Sequence, residues 1–409
     1  MKVTFLLFFI LSVFINDSRA QIPGLFLDSI YAYHRIPDIQ YGSAYNFQKD
    51  VQEKLLLDIY EPSASTDYQR PVLIYVHGGG FTSGSKGGPA DIPVFAQYFA
   101  PRGWVVASID YRLGVEDAST TADNYEEAYE ATQDAKAAIR YFRRYAQDYC
   151  VDTSAIFMTG ISAGGATALT CAYWDPEEAN PIIDEQKLGL IDEGSGNLGY
   201  SSHLTAIVNC WGGINDTSWM KNNDIPQYLF HGTADSTVPY HSGYNSNQIY
   251  LYGSYDIHQA AMRYSIESNL HPFFGFGHGI PNESPQMDTV LMLSSKFFYN
   301  HFDTRLLTQE ECNLTTGISY PENPEQPQLK MLPNAAEGSF TVENLSPKSP
   351  FKGVLNVYNL SAQMIYTKPI SINAASILKV SLTFIENGIY YVQFKNNSES
   401  ITEKLIFVH

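Results

Sequence analysis

Basic residues are scarce in this chain: its 409 residues include 25 Lys and Arg against 43 Asp and Glu, for a formal net charge of −18. Nucleic acids and anionic membrane surfaces attract positively charged proteins, so neither is expected as a partner. Beyond residue 20 there is also no run long and apolar enough to cross a membrane. We therefore expect two or three globular domains without stable membrane insertion.

A single apolar run lies at the start of the chain. It follows Lys2, extends from Phe5 to Ile15, which is too short for a membrane span, and is followed by Ser18-Arg19-Ala20. Small residues three positions and one position before a cleavage point are typical of a secretory signal. The sequence therefore predicts a signal peptide at residues 1–20. No Cys follows the cleavage point, so a lipid anchor there is not expected.

Buried strands alternate with helical patterns between residues 71 and 302. Runs of consecutive apolar residues indicate strands covered on both faces, and apolar residues at helical spacing indicate the helices between them. Before residue 70, apolar and polar residues alternate as in antiparallel edge strands. The pattern as a whole predicts an α/β fold with a doubly wound, mostly parallel sheet. The predicted strands are 71–76, 104–110, 155–158, 206–211 and 227–231, and the predicted helices are 125–149, 258–270 and 286–302.

The composition changes at residues 321–327, where three prolines alternate with polar residues as in a linker. Beyond this point helical spacing disappears. Short strand-like runs separated by turns predict a small all-β domain, a sandwich. We therefore expect the α/β domain at residues 21–310, a linker at 311–328 and the sandwich at 329–409.

The central stretch of the α/β region is Gly160-Ile161-Ser162-Ala163-Gly164, which separates a predicted strand from an Ala-rich helix. Such an abrupt turn needs residues without side chains on both sides of its central residue, and both are glycine here. The turn would raise the Ser162 hydroxyl above the sheet at a helix N-terminus, where developing negative charge is favoured. Ser162 is therefore a candidate nucleophile.

Acyl transfer through a serine also needs a base, an acid that orients it, and donors for the oxyanion. His278, in a glycine-rich loop late in the chain, is the candidate base, and Asp235, just past a strand end, is the candidate acid. Backbone N–H groups of Gly79, Gly80 and Ala163 are the candidate oxyanion donors, because a glycine run after a strand allows close approach to a carbonyl oxygen.

Two other residues compete for these roles. Asp216 also follows a strand and is a rival acid, although Asp235 is favoured. His77 opens the glycine run at 78–80, and there it is expected to act as a structural hydrogen-bonding group rather than as a base. The order Ser162, Asp235, His278 along the chain is the order of the α/β-hydrolase triad.

The runs His77-Gly78-Gly79-Gly80-Phe81 and Gly160-Ile161-Ser162-Ala163-Gly164-Gly165 resemble those of α/β-hydrolase esterases of the acetyl esterase, carboxylesterase and bacterial feruloyl-esterase type. The segment His231–Asp235 with Val238-Pro239 is similar to the acid-bearing segment of the same enzymes. The resemblance covers roughly residues 40 to 305. It implies the triad and the oxyanion donors named above.

The C-terminal region carries a second resemblance. Leu332-Pro333-Asn334, Gly338-Ser339-Phe340, 357–359, 388–392 and 404–406 are similar to the C-terminal sorting domain of the type IX secretion system of Bacteroidetes. That domain usually begins Tyr-Pro-Asn-Pro, and here Leu332 and Ala335 replace the outer residues. The resemblance implies export through the periplasm and outer membrane, with the secretion machinery as a partner. A carbohydrate-binding or fibronectin-like module is the alternative.

These observations predict a secreted serine carboxylic-ester hydrolase. Acetyl or feruloyl esters, possibly polysaccharide-linked, are the expected substrates, and lipid esters or polyesters remain open. Two alternatives are a serine peptidase of the oligopeptidase type, for whose large upstream propeller the chain leaves no room, and a non-catalytic adhesive protein. The residues expected to shape the substrate pocket are Phe81, Trp211 and 175–203, and no metal or organic cofactor is expected.

Cysteine is rare, with Cys150, Cys171, Cys210 and Cys312 as the four residues. Their spacing fits no zinc site, whereas an exported protein permits disulfides. Four thiols allow three full pairings. In the expected fold Cys210 lies at the catalytic end of the sheet, and Cys150 and Cys312 lie nearer the opposite end, which favours that pair.

Overall fold

The computed structural model describes residues 24–63, 69–88, 91–114, 121–179, 183–245, 248–302, 329–332, 335–336, 339–344, 350–359, 363–373, 376–382, 388–395 and 400–407. The expected signal peptide, the linker and Cys312 lie outside these residues. In the first part of the chain the strands are β1 (Tyr33–Asn46), β2 (Val51–Pro62), β3 (Arg70–Val76), β4 (Val105–Ile109), β5 (Val151–Ile161), β6 (Ala206–Cys210), β7 (Gln227–Gly232), β8 (Gly243–Tyr244), β9 (Tyr250–Leu251) and β10 (Ser268–Phe273). The helices are α1 (Val94–Phe99), α2 (Thr121–Arg144), α3 (Ala146–Tyr149), α4 (Ala163–Tyr173), α5 (Pro176–Ala179), α6 (Glu185–Leu188), α7 (Ser254–Arg263) and α8 (Pro285–Tyr299), with 3-10 turns at Ala100–Arg102 and Thr217–Met220.

Eight strands form one sheet in the order β1-β2-β4-β3-β5-β6-β7-β10. β1 and β2 pair antiparallel with each other, and β2 pairs antiparallel with β4. From β4 onward every neighbouring pair is parallel. The predicted antiparallel edge and doubly wound sheet are therefore confirmed, and this strand order is that of the α/β-hydrolase fold.

The sheet is buried on both faces, which explains its runs of consecutive apolar residues. In β3, Ile74 and its alternate neighbours join a core with α2, α4 and α7, whereas Leu73 and Tyr75 join a second core with α1 and α8. Every residue of β3 is buried. The carboxyl ends of β3 and its parallel neighbours lead into loops at one end of the sheet. The site assembles in these loops.

One predicted helix is wrong in its second half. The stretch expected to be helical at 258–270 is helix α7 only as far as Arg263, and it is followed by strand β10. This strand contains Pro272, whose missing N–H is tolerated because β10 pairs on one side only, with β7, at the edge of the sheet. An edge strand contains polar as well as apolar residues, so β10 lacks the run of consecutive apolar residues that indicates a central strand.

The segment 175–203 packs along helix α2. Its described part contains the short helices α5 and α6 and otherwise loops. The buried Arg140 of α2 donates through Nη1 to the backbone carbonyl of Asp192 at 2.7 Å and through Nε to that of Gly196 at 3.1 Å. Lys136 forms an ion pair with the Asp192 carboxylate at 2.7 Å. These contacts fix the segment to the body of the domain.

The described C-terminal residues form two small sheets that enclose one apolar core. The three-stranded sheet has the order β11-β13-β16, and the five-stranded sheet has the order β12-β18-β17-β14-β15. Phe340 and Val380 from the first sheet pack with Leu355 and Val392 from the second, as expected for a sandwich. The strands are β11 (Leu329–Leu332), β12 (Ala335–Ala336), β13 (Ser339–Asn344), β14 (Phe351–Asn359), β15 (Met364–Ile372), β16 (Ile377–Ser381), β17 (Gly388–Lys395) and β18 (Ser400–Phe407).

Two further expectations concern the cysteines and the membrane. Cys150 is disulfide-bonded, whereas Cys171 and Cys210 are buried free thiols. Cys312, its expected partner, lies outside the described residues, so the pairing stays a prediction. Among the helices of the described chain, none is long and apolar enough to cross a membrane.

Candidate active site

Ser162 occupies a strained turn between β5 and α4. Its φ of 54° lies in the left-handed region, which a residue with a side chain adopts at an energetic cost. The neighbouring structure holds it there: its N–H donates to the Cys210 carbonyl at 2.9 Å, and its carbonyl accepts from Ala166 N–H at 2.9 Å in the first turn of α4. The hydroxyl therefore stands at a helix N-terminus, where the helix dipole favours negative charge.

The glycines on either side of Ser162 are required by close contacts. A Cβ on Gly160 would lie 2.3 Å from the backbone of Gly164, and a Cβ on Gly164 would lie 2.1 Å from the carbonyl oxygen of Val76. Both distances are far below any van der Waals contact. The turn is therefore tight because strand β5 and helix α4 pack directly on each other and on the end of β3.

Two loops are joined above the edge of the sheet, and together they bring an acid and a base to Ser162. Ala234 N–H donates to the Phe276 carbonyl at 2.9 Å, and Gly275 N–H donates to Thr233 Oγ1 at 2.9 Å. Gly232 permits this crossing, because a Cβ there would lie 2.4 Å from the carbonyl oxygens of Phe276 and Gly277. The loop after β10 is thereby fixed to the loop after β7.

The structure brings together the three residues that the sequence singled out. His278 Nε2 lies 2.8 Å from Ser162 Oγ, and His278 Nδ1 lies 2.7 Å from Asp235 Oδ2. Because the carboxylate only accepts, Nδ1 carries a proton, and Nε2 is left to accept the proton of the serine hydroxyl. This arrangement can deprotonate Ser162 as it attacks an electrophile.

Asp235 is held as an anion. Its Oδ1 accepts the N–H groups of Thr237 at 2.8 Å and Val238 at 2.9 Å, and its Oδ2 faces both His278 and His231 Nε2, the latter at 3.2 Å. Burial raises the pKa of this carboxyl, but hydrogen bonds from the two imidazoles and from Val238 N–H outweigh burial and hold the pKa well below its usual range.

The candidate oxyanion donors lie on the loop after β3 and at the start of α4. Ala163 begins α4, where backbone N–H groups have no acceptor within the helix. Gly79 and Gly80 have φ of 124° and 62°, left-handed conformations that glycine adopts without strain. The Gly79 carbonyl accepts from Ser83 N–H at 3.1 Å, which closes the turn. Gly80 and Ala163 line the same cavity as Ser162.

A cavity of about 140 Å³ opens beside Ser162 and carries a mixed apolar and polar lining. Phe81 lines it, as expected. Trp211 does not: it is 3% exposed and packs in the core with α1 and α8. No described residue of 175–203 lines the cavity either. Its lining residues are Gly80, Phe81, Tyr125, Ala128, Ser162, Ala163, Ala166, Thr170, Gly213, Asn215, Thr237, Val238, Asn245, Ile249 and Leu251.

The two competing residues have other functions. Asp216 is exposed and caps the 3-10 turn Thr217–Met220 by accepting Ser218 N–H at 2.7 Å. His77 is buried, stacks on Tyr111 with ring centroids 4.4 Å apart, and places Nδ1 2.7 Å from the Gly78 carbonyl. Burial lowers the pKa of His77, which favours its neutral form next to the glycine run.

Sequence reasoning missed most of the cavity wall and one buried histidine. Tyr125, Ala128 and Thr170 come from the facing sides of α2 and α4, and their residue types carry no chemical signal. The wall at 237–251 has no regular pattern. His231 stands four positions before Asp235, a spacing that could have drawn attention to it. Among the described residues, no group of three or more His, Cys, Asp or Glu could hold a metal ion.

Two protein-family models match parts of this chain. Residues 57–222, which include Ser162 and the glycine run, match the BD-FAE family model. This region is therefore similar to an esterase family of α/β-hydrolases. Residues 330–408 match the secretion system C-terminal sorting domain, which directs a protein by type IX secretion to the cell surface or the extracellular space.

Individual relatives of the esterase region are distant. Esterase cest-33 of Caenorhabditis elegans is 31% identical over 118 residues, covering 28% of this chain and 21% of that protein. Liver carboxylesterase B-1 of Rattus norvegicus is 31% identical over 115 residues, covering 28% and 20%. The match thus spans about a fifth of the length of these relatives. A propionate-bound esterase, Est2 of Thermogutta terrifontis, is 24% identical, with a TM-score of 0.46, over 64% of this chain and 94% of that one.

Proposed function

We propose that this protein is a secreted serine carboxylic-ester hydrolase in which Ser162, His278 and Asp235 form the catalytic triad. The observation that carries the proposal is the continuous hydrogen-bonded series from Ser162 Oγ through His278 to Asp235, with distances of 2.8 and 2.7 Å. A structural serine and histidine would not need the strained backbone at Ser162. We further propose residues 21–310 as the catalytic domain.

In the acylation step, Ser162 Oγ attacks the ester carbonyl carbon while its proton passes to His278 Nε2. The resulting tetrahedral intermediate collapses, the bond from carbon to the alcohol oxygen breaks, and His278 returns the proton to the departing alkoxide. Asp235 stabilises the imidazolium that exists between these events. Water then attacks the acyl carbon while giving a proton to His278. The bond from that carbon to Ser162 Oγ breaks, His278 returns the proton to Ser162 Oγ, and the carboxylic acid is released.

We propose the backbone N–H groups of Ala163 and of Gly79 or Gly80 as donors to the oxyanion of both intermediates. The helix dipole of α4 adds to their effect at Ala163. One such donor is typically worth on the order of 10²–10³ in rate. Because backbone groups are fixed before the reaction begins, they stabilise developing charge without reorganisation.

The size of the cavity supports a small acyl group. It measures about 140 Å³, and an engineered cavity of about 150 Å³ in another protein holds one benzene molecule. Room for a single ring or a short chain, with Asn215 and Thr237 beside apolar Ile249 and Leu251, suits an acetyl group, and the larger feruloyl group would extend out of the cavity. Export to the cell surface favours esters on polysaccharides or their fragments as substrates. The type IX secretion machinery is the proposed partner during export.

The proposal is tested by hydrolysis of p-nitrophenyl esters of increasing chain length and of methyl ferulate, with the Ser162→Ala variant in parallel. We expect Ser162-dependent turnover that is highest for acetate or ferulate. Rates that rise with longer acyl chains would instead indicate a lipase-like or polyester-degrading enzyme. Turnover of dipeptide amides at the same rate as the esters would indicate a peptidase. Full activity of the Ser162→Ala variant would contradict the mechanism.

A further inference from the structure

We propose that His231 is a positioning residue that orients the carboxylate of Asp235 toward His278, as part of a hydrogen-bonded series running from Asn209 to Ser162. This inference rests on the proposed function, because it assigns a role within the same site. It extends the triad by one buried imidazole that contacts the same carboxylate oxygen as His278 does.

His231 is the second-last residue of β7, and its side chain is fully buried. Its Nε2 lies 3.0 Å from the carbonyl oxygen of Val238 and 3.2 Å from Asp235 Oδ2. Both of these oxygens can only accept hydrogen bonds. His231 Nε2 therefore carries a proton, and this N–H is shared between the Asp235 carboxylate and the Val238 carbonyl.

The other ring nitrogen of His231 has a partner that fixes this tautomer. Nδ1 lies 2.8 Å from Oγ of Ser254, the first residue of α7, and the serine hydroxyl can donate to it. Ser254 Oγ in turn accepts from Asn209 Nδ2 at 3.3 Å, and Asn209 Oδ1 accepts Gly212 N–H at 2.9 Å. The direction of donation is thus the same at every step from Asn209 to Asp235.

Close packing at the start of α7 allows the contact between Ser254 and His231. A Cβ on Gly253, the residue before Ser254, would lie 1.7 Å from the carbonyl oxygen of Pro239, in the loop that contains Asp235. Only glycine permits so close an approach, and that approach lets Ser254 reach the ring of His231. The contact satisfies Nδ1 of the buried imidazole and thereby fixes its tautomer.

The consequence falls on Asp235. Its Oδ2 receives an imidazole N–H from His278 on one side and from His231 on the other, while its Oδ1 is held by two backbone N–H groups. The carboxylate cannot rotate without losing one of these bonds. His231 therefore orients Asp235 by a hydrogen bond, as Asp235 orients His278. Tyr240 also packs edge-on against His231, with ring centroids 5.8 Å apart.

The test compares His231→Leu, which removes both nitrogens, with His231→Gln, which keeps an N–H donor near the position of Nε2. With p-nitrophenyl acetate, we expect Leu to lower kcat on the order of 10–100-fold with little change in KM, and Gln to restore most of the loss. The matched control is His258→Leu, which removes a histidine in the middle of α7 that bonds to Ser268 Oγ at the start of β10; this change should leave kcat unchanged.

A double-mutant cycle separates positioning from a purely structural role. In the Asp235→Asn background, His231→Leu should change kcat by no more than about threefold, because the group that it positions is no longer a carboxylate. A full multiplicative loss in that background would overturn the proposal, as would wild-type kcat in His231→Leu. If His231→Leu fails to fold by circular dichroism, Ser254→Ala is measured instead: a several-fold fall in kcat supports the series, and an unchanged kcat overturns it. Absence of Ser162-dependent turnover in the wild type would overturn the proposed function itself, a result distinct from these.

Discussion

His278 Nε2 lies 2.8 Å from Ser162 Oγ, although 116 positions separate the two residues in the chain. Ser162 follows β5 and His278 follows β10, which is the third strand along the sheet from β5. Parallel strands end at the same edge of a sheet, so the loops after β5, β7 and β10 converge there. The site is therefore a product of sheet topology, and its chemistry depends on how rigidly these loops are held.

Replacing Asp235 with Asn should lower kcat by up to about 10⁴-fold, because an amide cannot hold His278 in the tautomer that accepts the serine proton. KM should change much less, since Asp235 is buried behind His278 and does not line the cavity. Steady-state kinetics with p-nitrophenyl acetate measure both constants. The matched control is Asp216→Asn, which alters only an exposed turn cap. Equal losses in the two variants would contradict the assignment of the acid.

Because the pKa of Asp235 is low in the folded protein, its contribution to stability should be lost at acid pH. A carboxyl whose pKa is lower in the folded than in the unfolded state stabilises the fold above the unfolded value, about 3.9, and loses that contribution as the pH falls toward the folded value. The difference in unfolding free energy between wild type and Asp235→Asn should be constant above pH about 5 and shrink below pH about 4. Urea unfolding across this range measures it, and a difference that stays constant into strong acid would refute the prediction.

The turn at Ser162 should be intolerant of any side chain at Gly164. A Cβ there would lie 2.1 Å from the Val76 carbonyl oxygen, so Gly164→Ala must separate α4 from β3 at a cost of about 1–3 kcal/mol or more. Gly277→Ala is the control, because its Cβ would meet nothing within 4 Å and its φ is not left-handed. Urea midpoints should fall clearly for the first variant and by little for the second. Similar midpoints would show that the turn is looser than described.

The free thiols should be unreactive in the folded protein. Burial raises the pKa of Cys171 to about 12, and it raises that of Cys210 further still. Thiol labelling with a chromogenic disulfide, without reductant, should therefore be slow in the native state and should reach two thiols per chain after unfolding. A count of four after unfolding would show that the bond to Cys150 and the predicted pairing with Cys312 do not form.

The parts of the fold that could be predicted are those in which one local constraint decides the structure. Strands such as β3 are buried on both faces and therefore uniformly apolar, and the turn at Ser162 needs glycine on both sides. The approach of Asp235 and His278 to Ser162 could be expected, because each follows a strand of one parallel sheet. These features depend on residue type and position alone, so the sequence is sufficient to locate them.

The rest depends on packing between distant segments. Strand β10 contains polar residues and a proline, because an edge strand is covered less completely than a central one. The cavity wall uses Ala128 and Thr170, whose side chains are ordinary until α2 and α4 face each other. Residues 175–203 and Trp211 were expected at the pocket from their place in the order of strands, but the segment packs along α2 and the tryptophan enters the core.

The most direct test of the account is covalent capture of Ser162. The protein is incubated with a fluorophosphonate, which reacts with an activated serine by losing fluoride, and its mass and tryptic peptides are then measured. We predict one phosphonyl group per chain, located on Ser162, with no adduct in Ser162→Ala and a much slower reaction in His278→Ala. An adduct that forms at the same rate without His278, or that forms elsewhere while Ser162 stays unmodified, would contradict the proposed mechanism.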